Sequence, residues 1–277
     1  MLLHGGGLDD ARLSWSAITP RVATRATLVA PDLPGFGDSP LGSTTPSVAG
    51  YSSWLVAFLD AVGVRRCLVA GLSLGGAVAI RTALDVPERV VAVLGCAPYG
   101  LDPRVPGGRL GWLAVHAPGA GAVTNFVLRH SRRAVAASLR ALMSSPVDDK
   151  LVEEVLSLLR RPDAGGAWQA FQHDEVRWSG PRTVFGAELA GLTCPVTLLS
   201  GEHDLVDPEA VRAAAARIPH GAFHVIPGAG HWLPRDAPDA VAGQLLDLVS
   251  ATGGVPHIPS SAAEASAPAR PGEVTSP

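Results

Sequence analysis

Short unbroken apolar runs alternate with stretches of helical period over the first hundred residues, and again from about residue 192 to 250. Leu2-Leu3, Thr27–Ala30, Cys67–Ala70, Val90–Gly95, Cys194–Gly201 and Phe223–Pro227 are runs bounded by turn residues, which predicts strands, mostly buried on both faces. Between them lie helical patterns at Arg12–Val22, Val48–Val62, Ala77–Leu84, Glu209–Arg217 and Pro238–Val249. In the second of these, Tyr51, Trp54, Leu55, Phe58, Leu59 and Val62 share one face, and Gly63 stops the helix. Buried strands alternating with helices predict an α/β protein: a mostly parallel sheet with helices on both faces.

The rhythm breaks between residues 98 and 191. Pro98, Pro103, Pro106, Gly107 and Gly108 form an irregular lead-in, followed by helical patterns at Leu110–Val115, Val123–Leu142 and Asp149–Arg160. A Trp/Phe-bearing stretch, Ala167–Trp178, closes the segment, and no strand pattern interrupts it. The expected organisation is a core of residues 1–97 and 192–250, with 98–191 inserted as an all-helical lid. Trp112, Phe126, Trp168, Phe171 and Trp178 in that insertion read as packing residues. Residues 251–277 are rich in Pro, Ala, Ser and Gly, and their pattern predicts a disordered tail.

Composition narrows the function classes. With 277 residues, 47% hydrophobic and 17% charged, the chain is long and apolar enough to build one large core. A net charge of -3 without a basic stripe argues against nucleic-acid binding. No window of 18 apolar residues predicts a membrane span, and the opening Met1–Gly5 lacks the pattern of a secretory signal. Cys67, Cys96 and Cys194 are odd in number and never paired as C-x-x-C, which predicts buried thiols and a cytoplasmic location. No spacing of His, Cys and carboxylates suggests a metal site, and no cofactor is expected.

The candidate chemistry centres on Gly71-Leu72-Ser73-Leu74-Gly75-Gly76, set between an apolar run and a helical pattern. Gly71 and Gly75 let the helix pass close to the strand, so the serine hydroxyl is pushed out at the turn and Leu74 N–H points toward an anion. A glycine-rich turn carrying a solvated serine would share this pattern. His4-Gly5-Gly6-Gly7 offers unobstructed backbone N–H groups for an oxyanion, or else a flexible terminus. Asp32, in the turn-rich stretch Pro31–Ser39, is expected to brace its own loop, and Asp38 is not expected to react.

Taken together and in order, His4–Gly7, Asp32–Ser39, Gly71–Gly76, Gly201-Glu202-His203-Asp204 and Gly228-Ala229-Gly230-His231 resemble the α/β-hydrolase fold superfamily, in its lid-bearing esterase and C–C-bond-hydrolase type. The resemblance spans residues 1 to about 250. It implies Ser73 as nucleophile, His231 as base and Asp204 as the orienting acid, with Gly6 and Leu74 N–H groups holding the oxyanion. Asp207 is the competing acid. His203 and His224 are expected to be structural or exposed, and His4 to shape the oxyanion loop. The implied partner is a small-molecule substrate: a small ester, lactone or thioester, with a ring-fission diketone cleaved at a C–C bond or a silent ligand-binding receptor as alternatives. Ser73 excludes the Asp-nucleophile chemistry of epoxide hydrolases and dehalogenases. Members of the superfamily carry two further strands and a longer third before the H-G-G-G loop. Here only Met1, Leu2 and Leu3 precede it. That implies a bare edge on the Thr27–Ala30 strand, open to pairing in a homo-oligomer, and either an upstream start or a poorly soluble 277-residue form.

Overall fold

The computed structural model describes residues 1–104 and 108–253. Five parallel strands form the central sheet in the order β1-β2-β3-β6-β7, where β1 is Leu2–Leu3, β2 Cys67–Leu72, β3 Val90–Cys96, β6 Val196–Gly201 and β7 Gly221–Ile226. The registers Gly71↔Gly95 and Cys96↔Leu199 bring the C-terminal ends of β2, β3 and β6 to one edge. Alternation along each strand sorts the core into two layers. Val69, Val93 and Leu198 pack with Leu55 and Leu59 of α3 (Val48–Ala61) and with Ala77 and Ile80 of α4 (Leu74–Asp85). Leu68, Leu94 and Leu199 pack on the other face with Leu13 and Trp15 of α1 (Ala11–Trp15), with Val22 of α2 (Thr19–Val22), and with Leu245 of the last described helix, Pro238–Ala251.

Between β3 and β6 the chain forms α5 (Gly108–His116), α6 (Ala120–His130), α7 (Arg132–Leu142), α8 (Asp149–Leu159) and α9 (Gly166–Glu175). The single helical pattern expected over Val123–Leu142 is two helices, because the Ser131 hydroxyl accepts from Ala134 N–H at 3.1 Å and starts a new one. The expectation of an insertion without strands is corrected as well. Val176–Arg177 (β4) and Gly180–Pro181 (β5) pair as a short antiparallel hairpin, with Trp178 at its turn rather than in a helix. After β6 come α10 (Pro208–Ala215), then β7, α11 (Leu233–Asp236) and α12 (Pro238–Ala251). The helix α12 therefore runs one residue into the expected tail. Residues 254–277 of that tail, with Pro106 and Gly107 of the lead-in, lie outside the described residues.

Thr27–Ala30 is not a strand. Thr27 and Ala30 are exposed, and one bond, Leu2 N–H to Val29 O at 2.8 Å, links the segment to β1. A two-residue β1 offers too short a ladder for the apolar run to pair along its length. Cys67, Cys96 and Cys194 are buried free thiols, and burial pushes Cys96 up to about 12.

Candidate active site

Ser73 stands between β2 and α4 with φ 49° and ψ −110°, a backbone conformation that non-glycine residues adopt at a cost of about 1–3 kcal/mol. Close packing holds it there. A Cβ on Gly71 would lie 2.2 Å from the Gly75 carbonyl, and one on Gly75 would lie 2.5 Å from the carbonyl oxygens of Leu3 and His4. Ser73 N–H donates to Cys96 O at 2.9 Å, and Ser73 O accepts from Tyr99 N–H at 3.0 Å, so the turn is also pinned to the end of β3.

The other two residues follow the ends of β6 and β7. His231 Nδ1 lies 2.7 Å from Asp204 Oδ1, and the Asp204 side chain is completely removed from solvent. With Nδ1–H committed to the carboxylate, Nε2 is left as the proton acceptor. The histidine loop is anchored on the helical region: His231 N–H and Trp232 N–H both donate to Leu142 O, at 2.8 and 3.1 Å. Asp236 draws the same elements together, accepting from Gly230, Ser144 and Ser145 N–H groups. Asp207 lies elsewhere: its carboxylate accepts from Arg104 at 2.7 Å and caps α10 through Glu209 N–H, and the Arg104 contact lowers its pKa.

Ser73 and His231 line one cavity of about 410 Å³ with Gly5, Gly6 and Gly7. Its remaining wall is chiefly apolar, with Tyr99, Leu142, Trp168, Phe171, Leu205 and Trp232 among its members. No described residue accepts from the N–H of Gly6 or Leu74. Of the aromatics read as packing, Trp168 and Phe171 stack at 5.3 Å and face this cavity, whereas Phe126 and Trp178 are exposed. Trp168 covers the glycine loop so closely that a Cβ on Gly6 would meet its ring at 2.2 Å.

His4 shapes that loop from inside. Buried throughout, its Nδ1 donates to Gly5 O at 2.7 Å and its Nε2 accepts from Leu33 N–H at 2.9 Å, and burial lowers its pKa. Asp32 braces its stretch by accepting from Ala11 and Asp38 N–H groups. His203 and His224 are exposed. Sequence reasoning passed over Asp9, whose buried carboxyl accepts from Gly5 N–H at 2.7 Å and from the Ser14 hydroxyl at 2.5 Å. Its adjacency to the H-G-G-G run was the available signal. Among the described residues no cluster of His, Cys, Asp and Glu could hold a metal ion, and no helix is long and apolar enough to cross a membrane.

A model of the Alpha/beta hydrolase family matches residues 1–244. The chain belongs to the alpha/beta hydrolase family. Within this family of relatives it is 25% identical over 240 residues to the 2-hydroxymuconate semialdehyde hydrolase of Pseudomonas sp. (strain CF600), covering 84% of this chain and 80% of that one. A shorter match, 40% identical over 95 residues, links it to the pimeloyl-[acyl-carrier protein] methyl ester esterase of Aeromonas hydrophila. That match covers 34% of this chain and 35% of the relative. In fold this alpha/beta hydrolase is similar to a thermophilic esterase from Thermogutta terrifontis, with TM-score 0.71, 24% identity, and 91% and 89% of the two chains covered.

Proposed function

We propose that this alpha/beta hydrolase cleaves small, largely apolar carboxylic esters, lactones or thioesters through an acyl-enzyme on Ser73. The observation that carries the reading is the 2.7 Å bond from His231 Nδ1 to buried Asp204, with His231 and Ser73 on the wall of one mostly apolar cavity. Ser73 Oγ attacks the carbonyl while His231 Nε2 takes its proton, and Asp204 stabilises the imidazolium that forms. The N–H groups of Gly6 and Leu74 receive the oxyanion, each lowering the barrier by about 3–4 kcal/mol. His231 then protonates the leaving group and activates the water that releases the acid.

In this reading helices α5–α9 act as a lid; Leu142, Trp168 and Phe171 from that segment line the same cavity as the serine. A wall this apolar favours an acyl or alkyl group over a charged one. The buried free cysteines fit a reducing, cytoplasmic setting.

A second reading, hydrolysis of a C–C bond in a ring-fission diketone by the same three residues, is favoured by the likeness to the semialdehyde hydrolase over most of both chains. Fluorophosphonate labelling that disappears in Ser73→Ala distinguishes an enzyme from a ligand-binding receptor. Turnover of p-nitrophenyl esters of graded chain length, set against ring-fission diketones, then decides between the two reactions. No labelling of the wild-type protein would end the hydrolase reading.

A further inference from the structure

Asp9 is a costly residue to bury. Asp9 lies on the wall of the cavity that holds Ser73 and His231 yet is buried, and among the described residues the charge acting on it is that of Asp10, which repels its own. One oxygen, Oδ1, has no hydrogen-bond partner. The other, Oδ2, does two jobs. It accepts from Gly5 N–H at 2.7 Å, the peptide immediately before the one whose N–H is assigned to the oxyanion. It also accepts from the Ser14 hydroxyl at 2.5 Å, and Ser14 Oγ in turn accepts from Trp232 Nε1 at 3.1 Å. Trp232 directly follows His231, and Asp9, Ser14 and Trp232 are all buried.

From this geometry we infer that Asp9 is a positioning residue. It clamps the Gly5 end of the oxyanion loop and, through Ser14 and Trp232, ties that loop to the one carrying His231. The inference rests on the hydrolase reading for its kinetic consequence, though not for the clamp itself. Glycine residues 5 to 7 have no side chains with which to hold their own orientation; the Trp168 ring lies against Gly6 and Gly7, and Asp9 and Leu72 lie against Gly5. The buried Asp9 carboxyl supplies a fixed acceptor oxygen for the Gly5 N–H, and where it is ionised that bond is charge-assisted, shorter and stronger than a neutral one. The Ser14 hydroxyl has a single proton, so donating it to Asp9 leaves its lone pairs for the Trp232 indole and gives the relay one direction. Motion of either loop away from the serine must therefore break a buried polar bond.

Four variants test this: Asp9→Ala, Asp9→Asn, Ser14→Ala and Trp232→Phe, each measured for ester turnover and for the rate of fluorophosphonate labelling. Asp9→Ala is expected to lower kcat and the labelling rate 10- to 100-fold with KM within twofold. Asp9→Asn keeps an acceptor for both donors and is expected to recover most of that loss. Ser14→Ala should cost three- to tenfold, and the Asp9→Ala, Ser14→Ala double variant should be no worse than Asp9→Ala alone. Independently of any activity, the Trp232 indole N–H, assigned by its loss in Trp232→Phe, should exchange with solvent at least tenfold faster in Asp9→Ala and in Ser14→Ala. Unchanged exchange in both variants would overturn the relay. Unchanged kcat and labelling in a folded Asp9→Ala, or a loss that Asn fails to recover, would overturn the positioning role. If wild-type protein neither turns over nor labels, the hydrolase reading fails instead, and the exchange measurement still decides the clamp.

Discussion

His231 and Asp204, 27 residues apart in the chain, meet through a single 2.7 Å bond between Nδ1 and Oδ1, with the carboxylate wholly shielded from water. Asp204 Oδ1 also accepts from Val206 N–H at 3.0 Å, so the carboxylate is held by its own loop as well as by the imidazole. Asp204→Asn would leave the shape intact and favour the wrong tautomer, and a loss of about 10³–10⁴ in kcat is expected. Asp207→Asn, at a side chain engaged with Arg104 and the start of α10, should change kcat less than twofold. Equal losses in the two variants would remove Asp204 from its proposed role.

Strain at Ser73 gives a stability prediction of opposite sign to activity. Its φ of 49° is available to glycine without the Cβ clash. Ser73→Gly is therefore expected to raise stability relative to Ser73→Ala by about 1 kcal/mol while both abolish labelling. Urea denaturation of the two variants side by side measures the difference. Greater stability in the alanine variant would mean that the turn is relaxed.

The contact between Gly6 and Trp168 predicts a compensating pair. A methyl group at position 6 would meet the Trp168 ring at 2.2 Å, so Gly6→Ala is expected to cost about 1–3 kcal/mol and to depress turnover. Adding Trp168→Ala removes the obstructing ring and should recover part of the stability that Gly6→Ala loses. Strictly additive losses would show that the two residues do not press on one another.

Asp9 predicts a pH dependence of stability. Burial raises its carboxyl from 3.8 to about 7, with Asp10 adding to the rise and the Ser14 and Gly5 bonds opposing it. Between those two values the folded chain binds a proton that the unfolded chain has released, so stability falls as pH rises through this window. At 1.36 kcal/mol per pH unit the full contribution is about 4 kcal/mol, present below pH 4 and lost above pH 7. Asp9→Asn cannot ionise. Its stability relative to wild type should improve by a few kcal/mol between pH 4 and pH 8. A constant difference across that range would contradict the burial argument.

Much of this molecule can be read from its residues one stretch at a time. The runs Cys67–Ala70, Val90–Gly95 and Cys194–Leu199 announce strands because a strand buried on both faces must be continuously apolar. Ser73 is legible for a local reason too: the glycines on either side matter only if helix and strand cross closely there, and both close approaches are present. Thr27–Ala30 has the composition of a strand, yet pairing depends on a neighbour of sufficient length, which its own residues do not encode. Trp168 and Phe171 have the spacing of packing residues and still face the cavity, because which side of α9 meets the sheet edge is settled by the elements beneath it.

The local pattern by itself thus determined the alternation of strands and helices, the turn that carries Ser73, and the order of the motifs that hold Asp204 and His231. The tertiary structure alone decided that Asp9 grips Gly5 and reaches Trp232 through Ser14, and that Trp168 and Phe171 face the cavity. The physical reason is one of range. Hydrophobic period and turn chemistry act over a few residues, whereas a hydrogen bond between groups 27 or 218 residues apart exists only after the sheet has brought its loops to a common edge.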